Sequence, residues 1–176
     1  DISEWDVSKV TNMNHMFWQA TSFKQELCRD PWVSSKASKI SMFTASATAM
    51  RTATFTHKAS LKRAIAACLK LSPQGDCRNG PHGPIGEWDV SSVTDMDKIF
   101  DDASSFNGDI SKWDVSSVTT MSAMFAGATS FNGDLSKWDV SSVVAMNDMF
   151  RGAAAFNGDL SKWDVSSVTL MKAMFR

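Results

Sequence analysis

The chain has 176 residues, of which 18 are basic, 19 are acidic and 43% are apolar. This composition is typical of a soluble folded protein, so it excludes intrinsic disorder and a strongly basic nucleic-acid-binding protein. No apolar stretch approaches the ~20 residues that a membrane-spanning helix needs. Charge is uneven: residues 1–50 carry five basic and five acidic groups, residues 51–87 six and two, and residues 88–176 seven and twelve.

Residues 1–23 contain a motif that returns later in the chain. Residues 1–7 (DISEWDV) match residues 109–115 (DISKWDV) in all but one position. A repeated motif indicates a supersecondary unit that stacks on its neighbours. Because such a unit opens the sequence, we expect the chain to be part of a longer protein.

Residues 23–50 follow the same pattern with core positions changed. Lys36 and Lys39 stand where the later repeat has Val143 and Met146. A charge on the former core face is what a water-facing end of a repeat array requires. Residues 1–50 are therefore predicted to be the end of a first array with a degenerate C-terminal cap.

Residues 51–87 are predicted to form a capping helix and a Gly/Pro-rich linker. Leu61, Ile65 and Cys68 have helical spacing, Ser60 is the expected N-cap and Ser72-Pro73 ends the pattern. This helix would close the front of a second array over residues 88–176.

The three cysteines lie only in the cap and linker regions, where the ends of an array lack neighbours. Cys68 and Cys77 are candidates for a disulfide that ties the capping helix to the entry of the second array. Three pairings are possible because Cys28 is the third cysteine, and one thiol must remain in each. Three reduced cysteines in a cytosolic protein are the competing interpretation.

Residues 88–176 repeat with a period of 25 residues, marked by Trp88, Trp113, Trp138 and Trp163. Within a unit, Trp113 and Val115 alternate with polar residues as in a strand, and Val118, Met121 and Phe125 have helical spacing. The predicted fold class is α/β: a right-handed, leucine-rich-repeat-like solenoid of 25-residue strand–helix units, in two arrays with a helical cap between them.

Units of the form WDVSSVTxMxxMFxxAxxFNxDLS resemble the BspA-like leucine-rich repeat surface proteins of bacteria and microbial eukaryotes. The resemblance is close over residues 1–23 and 88–176. Ile99 and Val144 depart from the pattern, at the Met and Thr positions. The resemblance implies a leucine-rich-repeat-related fold and, by analogy, surface attachment or protein binding.

No catalytic, metal or cofactor motif occurs, and the three histidines, His15, His57 and His82, are expected to be solvated surface residues. Partner binding is assigned to repeated charged residues on one face and to Trp18, which occupies an outward position. The charged residues are Asp109, Lys112, Asp114, Asp134, Lys137, Asp139, Asp159, Lys162 and Asp164.

The stacked rows of side chains permit other interpretations. The Asn107, Asn132 and Asn157 row is expected to satisfy backbone groups between units, whereas the aspartates could collect divalent cations and the Thr94, Thr119 and Thr169 row could bind ice or a mineral. The tryptophans would serve as sugar platforms only if exposed, and their spacing favours the core.

The sequence therefore predicts a non-enzymatic scaffold that binds protein or a cell-surface polymer, without a nucleic-acid partner and without a transmembrane segment. Its predicted location is extracellular or at the cell surface. The main alternative is a structural or linker subunit of a large assembly, organellar or flagellar, docked through Trp18. The lesser alternative is binding of cations, ice or mineral.

Overall fold

The computed structural model describes residues 2, 5–23, 32, 35–40, 42, 53–77, 80 and 82–176. The helices with described bounds are α1 (Lys58–Leu71) and a 3-10 helix (Ile85–Glu87). Extended pairing among the described residues is limited to isolated parallel bridges. They are Asn12 with Ser38, Thr54 with Asp89, Asp95 with Thr120, Thr120 with Ala145, and Ala145 with Leu170.

The predicted α/β fold, a leucine-rich-repeat-like solenoid of strand–helix units, is wrong. The repeats over residues 88–176 consist of turns and irregular backbone, and the part of the chain that the structure describes contains no β-sheet. What the 25-residue period does produce is a stack of turn-rich units, which we call the repeat stack (residues 88–176).

The segment predicted to be helical within each repeat is a run of tight turns. Met124 and Ala126 donate their N–H groups to carbonyls three residues earlier, at 3.1 and 3.2 Å, whereas Met121, Ala123 and Phe125 donate to the next repeat at 2.8–2.9 Å. Ala123 has a φ of 53°, which lies in the left-handed region and is incompatible with an α-helix. Alternate N–H groups therefore leave the local chain, and a continuous helical ladder cannot form.

The segment predicted to be a strand is held by local turns instead. Trp113 and Val115 are buried and Lys112 and Asp114 are exposed, as the alternating pattern requires. However, the Trp113 N–H donates to the Ile110 carbonyl at 3.1 Å rather than to a neighbouring strand. Burial alternates with period two, but the backbone bonds are local.

Aromatic stacking holds the repeats in register. The rings of Phe100, Phe125, Phe150 and Phe175 lie nearly parallel, with successive centroids 5.4–5.5 Å apart. Each tryptophan indole in the stack also donates a hydrogen bond to an earlier carbonyl, as Trp138 does to Ile110 at 3.2 Å. Core residues from every repeat form one cluster with α1.

A helix, α1, occupies the segment where the capping helix was predicted. The helix begins after His57, and the Ser60 hydroxyl donates to the His57 carbonyl at 2.7 Å, so Ser60 is not the N-cap. The helix ends at Leu71 before Ser72, as expected. Leu61 and Ile65 are buried in the same cluster as the repeat stack.

The turn after α1 continues the bonding pattern of the stack toward its front. The Asn107 N–H donates to the Gln74 carbonyl at 3.1 Å, in the way that the Asn132 N–H donates to the Asn107 side-chain oxygen at 2.9 Å. Gly75 permits this approach, because a Cβ there would lie 2.5 Å from the Phe106 ring. Segment 53–77 thus contacts the first unit of the stack where a preceding unit would.

The first array forms a separate cluster of buried residues: Val7, Met13, Phe17, Trp32, Ala37 and Met42. Its N–H groups also pair with the following unit, as Met13 does with the Ser38 carbonyl at 2.7 Å. Of the two lysines expected at its water-facing end, Lys36 is exposed and Lys39 is half-buried, with its Nζ donating to the Ser35 carbonyl at 2.6 Å. Burial lowers the pKa of Lys39. Cys28 and most of the predicted cap lie outside the described residues.

Candidate binding face

The charged residues expected to bind a partner are exposed in the repeat stack and form three ladders. The first aspartate ladder is Asp109, Asp134 and Asp159, the lysine ladder is Lys112, Lys137 and Lys162, and the second aspartate ladder is Asp114, Asp139 and Asp164. We call these nine residues the aspartate–lysine face. Equivalent members recur once per repeat, so the repeat spacing sets the spacing of the charges.

Local turns hold each aspartate of the face in position. Asp109 Oδ1 accepts hydrogen bonds from the Ser111 N–H at 3.0 Å and the Ser111 hydroxyl at 2.7 Å. Asp139 has the same arrangement with Ser141, at 3.0 and 2.7 Å. An Asp side chain that bonds the backbone two residues ahead forms an Asx turn. The turns fix one carboxylate oxygen of each aspartate.

These hydrogen bonds lower the pKa of most aspartates on the face. The hydroxyl and N–H of Ser111 lower the pKa of Asp109, and those of Ser141 lower the pKa of Asp139. Donors that bond the ionised carboxylate favour it. Asp109 and Asp139 therefore stay ionised to a lower pH than an unperturbed aspartate does.

The two aspartate ladders differ in their charged neighbours. Beyond the serine hydrogen bonds, Lys112 contributes to the lowered pKa of Asp109, and Lys162 contributes to that of Asp159. For Asp139 the charged neighbour is Asp164, which opposes the lowering by Ser141. Asp134 opposes the lowering at Asp109 and Asp159 in the same way, so the ladders differ in that lysines offset part of this repulsion in the first, whereas no lysine contributes to the pKa of Asp139.

The comparisons with known proteins identify the family. The family model DUF285, described as a Mycoplasma protein of unknown function, matches residues 1–59 and 75–176. The chain belongs to the DUF285 family. No curated protein and no solved structure matches it.

The asparagine row of the DUF285 repeats has the structural role expected of it. The Asn132 N–H donates to Asn107 Oδ1 at 2.9 Å, and the Asn157 N–H donates to Asn132 Oδ1 at 2.8 Å. Each side chain therefore satisfies the backbone of the next repeat. Among the residues that the structure describes, no group of three or more His, Cys, Asp or Glu side chains is placed to hold a metal ion.

The tryptophans of the repeat stack belong to the core. Trp88, Trp113, Trp138 and Trp163 are buried, and the Trp113 indole donates to the Ile85 carbonyl at 2.9 Å. Buried rings cannot serve as sugar platforms, so the core interpretation is correct for this DUF285 chain. The Thr94, Thr119 and Thr169 row is exposed, with Val144 interrupting it.

Trp18 is 52% exposed, and its ring meets the His15 ring edge-on at a centroid distance of 6.2 Å. Its equivalents Asp101 and Arg151 are exposed too, but Ala126 is fully buried. The position is therefore outward in most repeats and enclosed in one. Trp18 lies in the first array and is not part of the aspartate–lysine face.

Cys68 and Cys77 form a disulfide, with Cα atoms 5.4 Å apart. This is the pair named from the sequence. The bond joins the buried side of α1 to the turn that carries Gln74 and Gly75. Cys28, the third cysteine, lies outside the described residues.

His82 differs from its sequence-based prediction as a surface residue. Its ring packs edge-on against both Phe55 and Trp88, with each centroid 5.6 Å away, and burial lowers the pKa of His82 to about 4. His15 and His57 are exposed as expected. His82 is half-buried. It follows a Pro and precedes a Gly in a linker without hydrophobic periodicity, so no pattern in the sequence indicated this.

The basic side of α1 was not recognised as a surface feature from the sequence. Lys62 and Lys70 are exposed, with Lys70 opposite the buried Leu61 and Ile65 and Lys62 at the edge of that buried side. The signal was available, because the two lysines fall outside the apolar stripe and the 51–87 segment is the only one with excess positive charge. Among the described residues, no helix combines the length and apolar character that a bilayer-spanning segment needs.

Proposed function

We propose that this DUF285 chain is a non-enzymatic repeat scaffold whose aspartate–lysine face binds protein or a cell-surface polymer. The observation that carries the proposal is the contrast between two sets of repeated residues. The tryptophan row and Phe100, Phe125 and Phe150 are buried, whereas the aspartate and lysine ladders are exposed and Asx turns hold the aspartates in place. The side chains that every repeat exposes to a partner are therefore charged.

Regular spacing gives such a face its binding mechanism. Each exposed charge contributes little by itself. Linked contacts, however, act at a high effective concentration once the first has formed. A partner with charges at a matching period would bind far more tightly than a single site allows.

The resemblance to BspA-like surface proteins and the Cys68–Cys77 disulfide support a location outside the cell or at its surface. Disulfides persist in oxidising compartments and are rare in the cytosol. The proposal therefore names an adhesive or scaffolding role in that compartment.

Binding of the fluorescently labelled chain to intact cells of the producing organism tests the proposal. Replacing the six face aspartates by asparagine keeps the side-chain oxygen that accepts the serine hydrogen bonds and removes the charge. We expect at least tenfold less cell-bound signal for this variant than for wild type. High salt screens exposed charges, so it should lower the wild-type signal more than the signal of the variant. The control variant, D101N/D102N/D148N, changes carboxylates outside the face and should bind like wild type. Equal binding of all three proteins would contradict the proposal.

A second candidate function is a linker subunit of a larger assembly, favoured by the exposure of Trp18. Large aromatic side chains dominate the binding energy of many protein interfaces. Under this function Trp18→Ala would release the chain from its assembly, while the six-asparagine variant would stay bound. The reverse result would favour the scaffold with the charged face.

A further inference from the structure

The helix α1 presents a basic surface on a chain whose repeat stack is acidic. Residues 51–87 contain six basic and two acidic groups, whereas residues 88–176 contain seven and twelve. Lys62 and Lys70 are exposed on α1, and Leu71 beside them is 63% exposed. Lys58 is already paired with Asp95 at 2.9 Å, so it does not belong to this surface. We call Lys62, Ala66, Lys70 and Leu71 the basic helix surface.

The second aspartate ladder is the acidic surface that best fits it. Asp114, Asp139 and Asp164 are exposed, and Asp164 acts on Asp139 as a like charge. The first ladder has lysines of its own beside it. A row of uncompensated carboxylates gains most from an added cation.

The spacings of the two surfaces agree. An α-helix rises 1.5 Å per residue, so Lys62 and Lys70 lie about 12 Å apart along the axis. Two repeats of the stack span about 11 Å, because successive Phe ring centroids lie 5.4 and 5.5 Å apart. One lysine can therefore face Asp114 while the other faces Asp164, with Ala66 opposite the middle repeat.

We propose that the partner of the second aspartate ladder is the basic helix surface of a second copy of this chain. This inference rests on the proposed function, since it names a partner for the same face. Helix and ladder are different surfaces, so a single contact joins two copies head-to-tail and leaves one helix and one ladder free in the pair. Further copies then add in series through the free helix and the free ladder of the pair.

Sedimentation velocity of the purified chain tests this directly. We expect a series of oligomers at low ionic strength that dissociates toward monomer at high salt. The helix variant K62E/K70E and the ladder variant D114N/D139N/D164N should each weaken self-association at least tenfold. Asparagine keeps the acceptor for the serine N–H, so the ladder variant retains its Asx turns. The matched control D109N/D134N/D159N removes the same number of charges from the compensated ladder and should associate like wild type.

Mixing the two variants gives the sharpest result. The helix variant has an intact ladder and the ladder variant an intact helix, so one complementary contact remains and the mixture should form heterodimers that neither protein forms alone. A wild-type chain that stays monomeric at low salt would overturn the inference, as would equal effects of the two asparagine variants. A monomeric chain that still binds cells through its aspartates would overturn this inference alone and leave the proposed function standing.

Discussion

The two repeat regions of the chain share a motif but differ in how well they bury it. In the repeat stack, Trp138 and Met124 are buried, whereas their counterparts in the first array, Trp5 and Met16, are 53% and 45% exposed. Stacked repeats bury a residue only where the adjoining unit supplies the other half of its environment. Equivalent side chains are therefore part of the core in the repeat stack and partly exposed to solvent in the first array.

The unit that follows in each region explains part of this difference. Trp113 is also buried, and the repeat that follows it continues the pattern, with Val143 and Met146 fully buried. The unit after Phe23 has Lys36 and Lys39 at those positions, and among its described residues Trp32, Ala37 and Met42 are buried. Burial thus has two requirements, namely the repeat motif itself and an adjoining unit with apolar side chains at the matching positions.

The largest expected contrast between the regions is at tryptophan. Trp138→Ala should cost about 3–5 kcal/mol of unfolding free energy, because it leaves a cavity and removes the indole donor to the Ile110 carbonyl. Trp5→Ala removes an exposed ring that stacks on Trp32 at 6.4 Å, and should cost about 1 kcal/mol. Urea unfolding of both variants measures the difference, and equal losses would contradict the comparison.

The disulfide at the front of the repeat stack should have the next largest effect. C68S/C77S opens a loop whose ends are nine residues apart, which corresponds to about 2–3 kcal/mol from loop entropy. Urea unfolding at matched conditions gives the value. Reduction of the wild-type chain is the control, and it should reproduce the loss without any change of side-chain volume. An unchanged urea midpoint would show that the disulfide contributes nothing to the stability of the repeat stack.

Acid should weaken the repeat stack through its aspartates. The pKa of Asp134 is lowered from 3.8, first by the Ser136 N–H and then by its hydroxyl, and Asp159 is lowered in the same way by Ser161. A folded-state pKa below the unfolded value gives stability that is complete above pH 5 or so and disappears as pH falls through the folded-state pKa. Urea unfolding at pH 7 and pH 3 should show this loss.

The variant S111A/S136A/S161A provides the comparison for the acid effect. It removes the hydroxyl donors and leaves the backbone donors, so the pKa difference between folded and unfolded states should shrink. We expect its stability to fall less between pH 7 and pH 3 than that of wild type. An equal or larger fall would show that the serine hydroxyls do not set the acid response.

Calcium should leave the thermal stability of the chain unchanged. Each aspartate of the first ladder is held by a serine, and the lysine ladder lies beside it. A ligand that binds only the folded state raises the melting temperature by mass action. A rise in melting temperature with millimolar calcium would revive the cation-binding interpretation of the ladders.

Residue burial could be predicted from this sequence far better than backbone structure. The positions assigned to the core, such as Trp113, Val115 and Met121, are buried, and α1 and the Cys68–Cys77 pair lie where the spacing placed them. Side-chain spacing reports which residues share a face. It does not report where each N–H group finds its acceptor, and from Met121 to Gly127 every second N–H finds it in the next unit.

The residues of the candidate face could be predicted from the sequence, but the difference between its two aspartate ladders could not. Exposure of Asp109, Lys112 and Asp114 follows from the alternating pattern. That Lys112 compensates one aspartate ladder and not the other depends on how the turns orient the side chains across repeats. The burial of His82 likewise depends on the long-range packing of Phe55 and Trp88.

Lys98 provides the most direct test of whether the repeats are built from turns with left-handed residues rather than from helices. Lys98 is exposed and has a φ of 58°, at the position equivalent to Ala123. Glycine adopts this conformation without strain, so K98G should be more stable than K98A by about 1 kcal/mol in urea unfolding. In a helix the order reverses, because glycine is about 1 kcal/mol less favourable than alanine there. A more stable K98A would therefore contradict the account.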